Sequence, residues 1–206
     1  MGGVEILPDG GIGPDFVDRI GHGTAAAAAV LEKAPDAEIQ AVRVFRTRLE
    51  TTADQLLRAM DWAVERGVHL INVSLGTREA SHREALAAAV GRAMRAGALV
   101  VSPAEHEGEQ WLPGTLPGVV GVLLDWACPR DEIRILSVEA DSPRVAASGY
   151  PRPIPGVSPE LNLKGVSFAA ANVTGFLARA IEGHQGERGR PVSPSLLAEM
   201  IAEAGA

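Results

Sequence analysis

Two short segments of this 206-residue chain set a reactive side chain at the start of a helix. Gly21-His22-Gly23-Thr24 opens an alanine-rich run that continues to Lys33, and Gly165-Val166-Ser167 opens an apolar run that continues to Ile181. A serine hydroxyl attacks a carbonyl only when a neighbouring base takes its proton, and imidazole is suited to that work near neutral pH. A carboxylate that holds the imidazole in the useful tautomer completes such a set. Asp9 lies in the turn Pro8-Asp9-Gly10-Gly11 after the apolar segment Val4–Leu7. Each residue also has a plainer explanation. Serine caps helices well, a histidine at a helix start can be a surface or capping residue, and Asp-Gly is an ordinary turn.

The elements that must position these residues alternate along the chain. Val4–Leu7, Glu38–Phe45, Val68–Val73, Ala98–Val101 and Val119–Asp125 read as strands, with Ile133–Glu139 and Arg144–Ala147 as further ones. His22–Lys33, Thr52–Arg66, Ser81–Arg95, Val166–Ile181 and Pro194–Ala204 read as helices. Thr51 or Thr52 caps the second of these, and Gly67 and Gly97 are stops. Near-continuous apolar strands alternating with helices predict an α/β fold, a mostly parallel central sheet with helices on both faces. Chemistry in such sheets gathers at the carboxyl ends of the strands. That rule selects Asp9–Gly13, Ser74–Thr77 and Ser102–Gly108, while the proline-rich stretch Ser148–Lys164 reads as a surface loop feeding the Ser167 helix.

Composition narrows the classes. The length suits one domain over residues 1–206. A net charge of −7 argues against nucleic acid or an anionic membrane as partner. The single cysteine, Cys128, rules out an intramolecular disulfide and a thiolate metal cluster, and is read as a small buried hydrophobe. No apolar run reaches the ~18 residues of a membrane span. The first residues lack a basic region ahead of an apolar one, so they do not read as a signal peptide, and the expected location is cytoplasmic. Core packing is expected for Trp62, Trp111 and Trp126.

Several separated segments, in order, resemble one family. Gly21–Thr24 (GHGT) looks like the histidine motif of subtilisin-like serine proteases. Ile71–Gly76 (INVSLG) resembles their substrate-binding strand, and Ala96–Gly108 is similar to the stretch that carries their oxyanion-hole asparagine. Gly165–Gly175 (GVSFAAANVTG) is similar to their nucleophile motif, and PVSPSLLAEMIAEAG resembles their closing helix. The resemblance implies a subtilisin-like three-layer architecture, with Asp9, His22 and Ser167 as the triad. It implies a peptide or protein substrate held against Ser74, Leu75, Gly76, Ser102, Ala104 and Glu105, and no cofactor. No Asp-rich loop has calcium-site spacing, so no metal is expected.

The departures matter as much. His106 stands where the family has its oxyanion asparagine, and Glu105 where a glycine is usual. An imidazole N–H can donate one hydrogen bond, so His106 is expected either to serve the oxyanion or to pair with Glu105 or Glu107. Glu105 beside the primary specificity pocket would narrow it and favour a basic or small side chain. Val166 replaces the usual threonine, and Ala171-Asn172 replaces Pro-His. Asp18 resembles a second family position that shapes the histidine loop. The resemblance therefore implies a serine endopeptidase working through an acyl-enzyme, suited to selective intracellular processing such as removal of a leader peptide. Two alternatives stand beside it: a pseudoprotease that binds a peptide or protein in the old groove, and a variant that transfers the acyl group to an amine.

Overall fold

The computed structural model describes residues 2–137 and 142–183, together with residue 199. Apolar residues that alternate along each strand give the chain two buried faces to cover, and the helices do so in pairs. The strands are β1 (Gly2–Ile6), β2 (Ile12–Gly13), β3 (Gln40–Arg43), β4 (Leu70–Asn72), β5 (Leu99–Pro103), β6 (Glu105–His106), β7 (Glu109–Gln110), β8 (Val119–Leu124), β9 (Ile133–Ser137) and β10 (Arg144–Ala147). The helices are α1 (His22–Lys33), α2 (Ala53–Glu65), α3 (Arg83–Arg95) and α4 (Val166–Gly183). The helix expected at Pro194–Ala204 lies outside the described residues.

A five-stranded sheet runs β4-β5-β8-β10-β9, parallel throughout except for β9, which is antiparallel to β10. A three-stranded sheet runs β2-β1-β3, with β1 and β3 parallel and β2 antiparallel to β1. The short β2 and the β6–β7 hairpin were not foreseen, because two-residue strands carry no periodicity. Alternate residues of the large sheet separate its two cores. Ile71, Val100 and Val119 face Leu56 and Met60 of α2 and Leu86 and Val90 of α3. Leu99, Val101, Val120 and Val122 face Ala169, Val173 and Leu177 of α4. This is the expected α/β arrangement, helices over both faces of a mostly parallel sheet.

Helix ends are fixed by local chemistry. Thr52 caps α2 through a capping box with Gln55, whose amide also reaches the Ile6 carbonyl at 2.9 Å and so ties α2 to β1. At α1 the capping position is Gly21, which has no side chain to offer. Asp18 does that work from three residues earlier. Its carboxylate accepts from the amides of Ile20 (2.9 Å), Gly21 (2.8 Å) and Thr24 (2.7 Å) and from the Thr24 hydroxyl (2.8 Å). Burial pushes this carboxyl up, but the four donors outweigh it and bring it down to about 2.

α1 lies against α4 through small residues. Ala26, Ala29 and Val30 meet Ala171, and all four are buried. At Gly175 a Cβ would lie 3.0 Å from the Val30 carbonyl oxygen and 3.1 Å from the Lys33 Cβ, so the bare glycine lets the two helices approach closely. The Lys33 stem is buried there, with its ammonium 5.4 Å from the Phe176 ring. Two tryptophans answer differently to the expectation of core packing. Trp62 is buried in the α2 face, whereas Trp126 is 51% exposed and rests beside Tyr150 (5.2 Å between ring centres). Cys128 is buried, as read from the sequence, and burial pushes its thiol up.

Two measurements follow. Asp18→Ala costs about 1–2 kcal/mol in denaturant unfolding, the usual size of a lost helix cap. With the carboxyl moved from its ordinary 3.8 down to about 2, its contribution is full above pH 3.8 and disappears as pH falls toward 2. Acid unfolding of wild type and variant therefore converges in that window; parallel curves refute the assignment. Ala171→Leu overfills the α1–α4 crossing and costs about 1–3 kcal/mol.

Candidate active site

The packed helices α1 and α4 bring their N-termini together, and these carry His22 and Ser167. His22 is 8% exposed and lies between two aromatic rings, Phe168 at 5.2 Å and Phe45 at 6.0 Å edge-on. Phe168 directly follows Ser167, so His22 and Ser167 occupy one neighbourhood. Burial among these rings lowers the pKa of the His22 imidazole below its ordinary 6.5, and the Asp18 carboxylate pulls it partly back. A buried neutral imidazole is a proton acceptor.

Ser167 is half-buried and its hydroxyl is engaged. Ser167 Oγ donates to the Ser74 carbonyl at 2.9 Å, and Ser74 Oγ donates back to the Ser167 carbonyl at 2.9 Å. The pair of bonds staples the first turn of α4 to the chain leaving β4. Among the described residues no hydrogen bond joins Ser167 to His22. Among the described residues the amides of Val166 and Ser167, at the open end of α4, have no backbone acceptor, while Phe168 and Ala169 already bond to the Gly165 carbonyl. Free first-turn amides together with the positive end of the helix dipole can receive an oxyanion.

Asp9 lies apart from this pair. It is exposed in the β1–β2 turn, where its Oδ1 accepts the Gly11 amide at 2.9 Å. The turn closes through Leu7–Gly11 and Gly10–Leu7 backbone bonds of 2.8 and 2.9 Å. A tight antiparallel return after Pro8 directs the carboxylate to solvent, and no bond links it to His22. The buried acid of β1 is instead Glu5, occupied by Arg43 (2.8 Å) and Arg46 (2.9 Å).

His106 also lies apart. It sits on the β6–β7 hairpin, whose turn residues Glu107 and Gly108 have φ of 54° and 80°. Its side chain is 43% exposed, rests on Trp111 at 4.8 Å and has Nε2 3.9 Å from Glu107. Glu105 is exposed on the same hairpin, opposite Gln110.

The remaining segments converge. The hydroxyl of buried Ser102 points to the Leu75 carbonyl at 3.4 Å, which places the ends of β4 and β5 side by side. Ala104 is buried; its amide bonds to Val122 and its carbonyl accepts from Trp111, both at 2.9 Å. Trp111 covers Gly76, where a Cβ would lie 2.6 Å from the indole. Thr77 and Leu112 form an antiparallel bridge alongside, with bonds of 2.9 and 2.8 Å. Sequence reasoning missed Trp111 as a wall of this region, since one tryptophan in a loop carries no periodic signal. A cavity of about 1350 Å³ opens between the two sheets and is bordered by Asp18, His22, Phe45, Ser74 and Thr174.

The subtilase family profile matches residues 11–108, a span that holds His22, Ser74–Gly76 and His106. A thermostable alkaline protease of Halalkalibacterium halodurans is 29% identical over 188 residues, covering 80% of this chain and 48% of its own length. The chain spans about half the length of relatives it matches. Among solved structures, a lanthipeptide protease superposes with a TM-score of 0.67 at 21% identity, over 96% of this chain and 71% of that one. The prenylagaramide maturation protease PagA does so with 0.64 at 24%, over 84% and 68%. No helix among the described residues is long and apolar enough to cross a membrane. GHGT at the start of α1 and INVSLG on β4 and its exit both lie inside the matched span, so over residues 11–108 this chain is similar to the subtilase family, and its fold is that of the subtilisin-like structures.

Proposed function

We propose that this chain is a serine endopeptidase, one subtilisin-like peptidase domain over residues 1–206, with Ser167 as nucleophile and His22 as general base and then general acid. The observation that carries this is the meeting of the two helix N-termini, with the His22 ring against Phe168. A small rotation of the Ser167 hydroxyl, away from the Ser74 carbonyl, is what the reaction requires first. His22 takes the proton as Ser167 Oγ bonds to the scissile carbonyl carbon, and the amides of Val166 and Ser167 receive the negative oxygen. His22 then gives the proton to the leaving amine, and water repeats the sequence on the acyl-enzyme.

Asp9 keeps the orienting role by its position after β1, with its turn closing on His22 when substrate is bound; catalytic hydrogen bonds often tighten only in the complex. Asp18 supplies the nearby negative charge in the free enzyme. The substrate lies extended along Ser74–Gly76 and Ser102–Glu105, with Trp111 limiting the space over Gly76 and His106 lending a donor if its hairpin folds inward. The lanthipeptide protease and PagA support a processing role, cleavage of a leader from a precursor peptide in the cytoplasm.

A second reading is favoured by specific contacts. Asp9 and His106 are exposed and the Ser167 hydroxyl is bonded to Ser74, as suits a binding protein that holds a peptide without cutting it. A fluorophosphonate probe separates the two. Wild type labels at Ser167, whereas S167A and H22A do not. Labelling rate against pH has a midpoint below 6.5, because burial favours the neutral base, and D18N moves it lower still. Absence of labelling in folded wild type sinks the enzyme reading; a midpoint at or above 6.5 sinks His22 as the buried base. Mass analysis of peptide products then divides hydrolysis from transfer to an amine.

A further inference from the structure

The Ser74 hydroxyl that holds Ser167 is itself held, by a chain of side chains that ends on the same helix two turns later. Asn72 Nδ2 donates to Ser74 Oγ at 2.8 Å, and Thr174 Oγ1 reaches Asn72 Oδ1 at 3.1 Å. The Thr174 hydroxyl also lies 2.9 Å from the Ala170 carbonyl, so its one proton is shared between two acceptors. The loop of contacts runs Ser167–Ser74–Asn72–Thr174 and returns through α4. Ser167 and Thr174 are seven residues apart, which puts both on the face of α4 that meets β4. Thr174 is buried and Asn72 half-buried, so these bonds exchange little with water and have well-defined geometry.

We propose that Thr174 and Asn72 are positioning residues for Ser167, acting through Ser74. Neither touches the reacting atoms. Thr174 orients the Asn72 amide, Asn72 leaves Ser74 Oγ free to donate only toward the Ser167 carbonyl, and that bond sets the height of the first turn of α4. The same fixed Ser74 carbonyl is the resting acceptor of the nucleophile's hydroxyl. The chain thus decides both where the hydroxyl rests and how far it must turn to reach His22. Displacements of about 1 Å in such a site cost on the order of 10²-fold in rate.

This rests on Ser167 as the nucleophile, and the test separates the two claims. Thr174→Val keeps the shape and removes the hydroxyl; Thr174→Ser restores it. In T174V the maximal rate of fluorophosphonate labelling falls about 10-fold or more while half-saturation stays near wild type, and T174S recovers most of the loss. Asn72→Ala gives the same loss, and the double variant is no slower than N72A alone, as members of one chain require. Since N72A breaks the chain from a half-buried position, it serves if T174V does not fold. Labelling of T174V at the wild-type rate, or a T174S as slow as T174V, overturns the proposal. If the serine proves unreactive in every variant, the endopeptidase reading fails and amide exchange over Val166–Ala169 still decides. Faster exchange in T174V and N72A, but not T174S, upholds the chain; unchanged exchange refutes it.

Discussion

Everything at the site depends on how closely α1 can lie against α4. Each helix carries one of the two side chains at its first turn, so their separation sets the separation of His22 and Ser167. Alanines at 26, 29 and 171 and the glycine at 175 let the backbones approach until van der Waals contact is made by the chains themselves. Close-packed interiors do not yield by small amounts. Bulk at this crossing therefore shifts His22 and Ser167 relative to each other without touching either.

Electrostatics then follow from burial. His22 sits among aromatic rings in a place that disfavours its charged form, and Asp18, anchored by four donors on the same loop, tempers that effect. One carboxylate thus serves two ends, closing the N-terminus of α1 and setting the basicity of the imidazole that begins it. At α4, Phe168 and Ala169 both bond to the Gly165 carbonyl, and among the described residues no backbone acceptor meets the amides of Val166 and Ser167.

Two candidate residues, Asp9 and His106, lie on loops, apart from His22 and Ser167. Residues 105–110 fold on themselves as a hairpin, so His106 leans on Trp111 rather than toward α4. The residues after Pro8 turn back as β2 and take Asp9 outward. Both are exposed turns governed by a handful of local bonds. Such segments reposition at small cost, whereas α1, β4 and α4 cannot.

The sequence by itself determined the order of the longer elements, the α/β class, the helix bounds at His22–Lys33, and the positions of His22 and Ser167 at helix starts. These follow from local rules: apolar periodicity, caps and stops, and residue types that chemistry requires. The α2 cap was legible as Thr51 or Thr52, and the structure has Thr52, with Gln55 as its partner. Only the tertiary structure decided which contacts those residues make. Ser167 finds the Ser74 carbonyl across 93 positions and Thr174 finds Asn72 across 102. Phe45 and Phe168 close on one ring. A side chain's periodicity tells which face it occupies, but its partner is set by the separation and rotation of whole elements, and no short stretch of sequence encodes that.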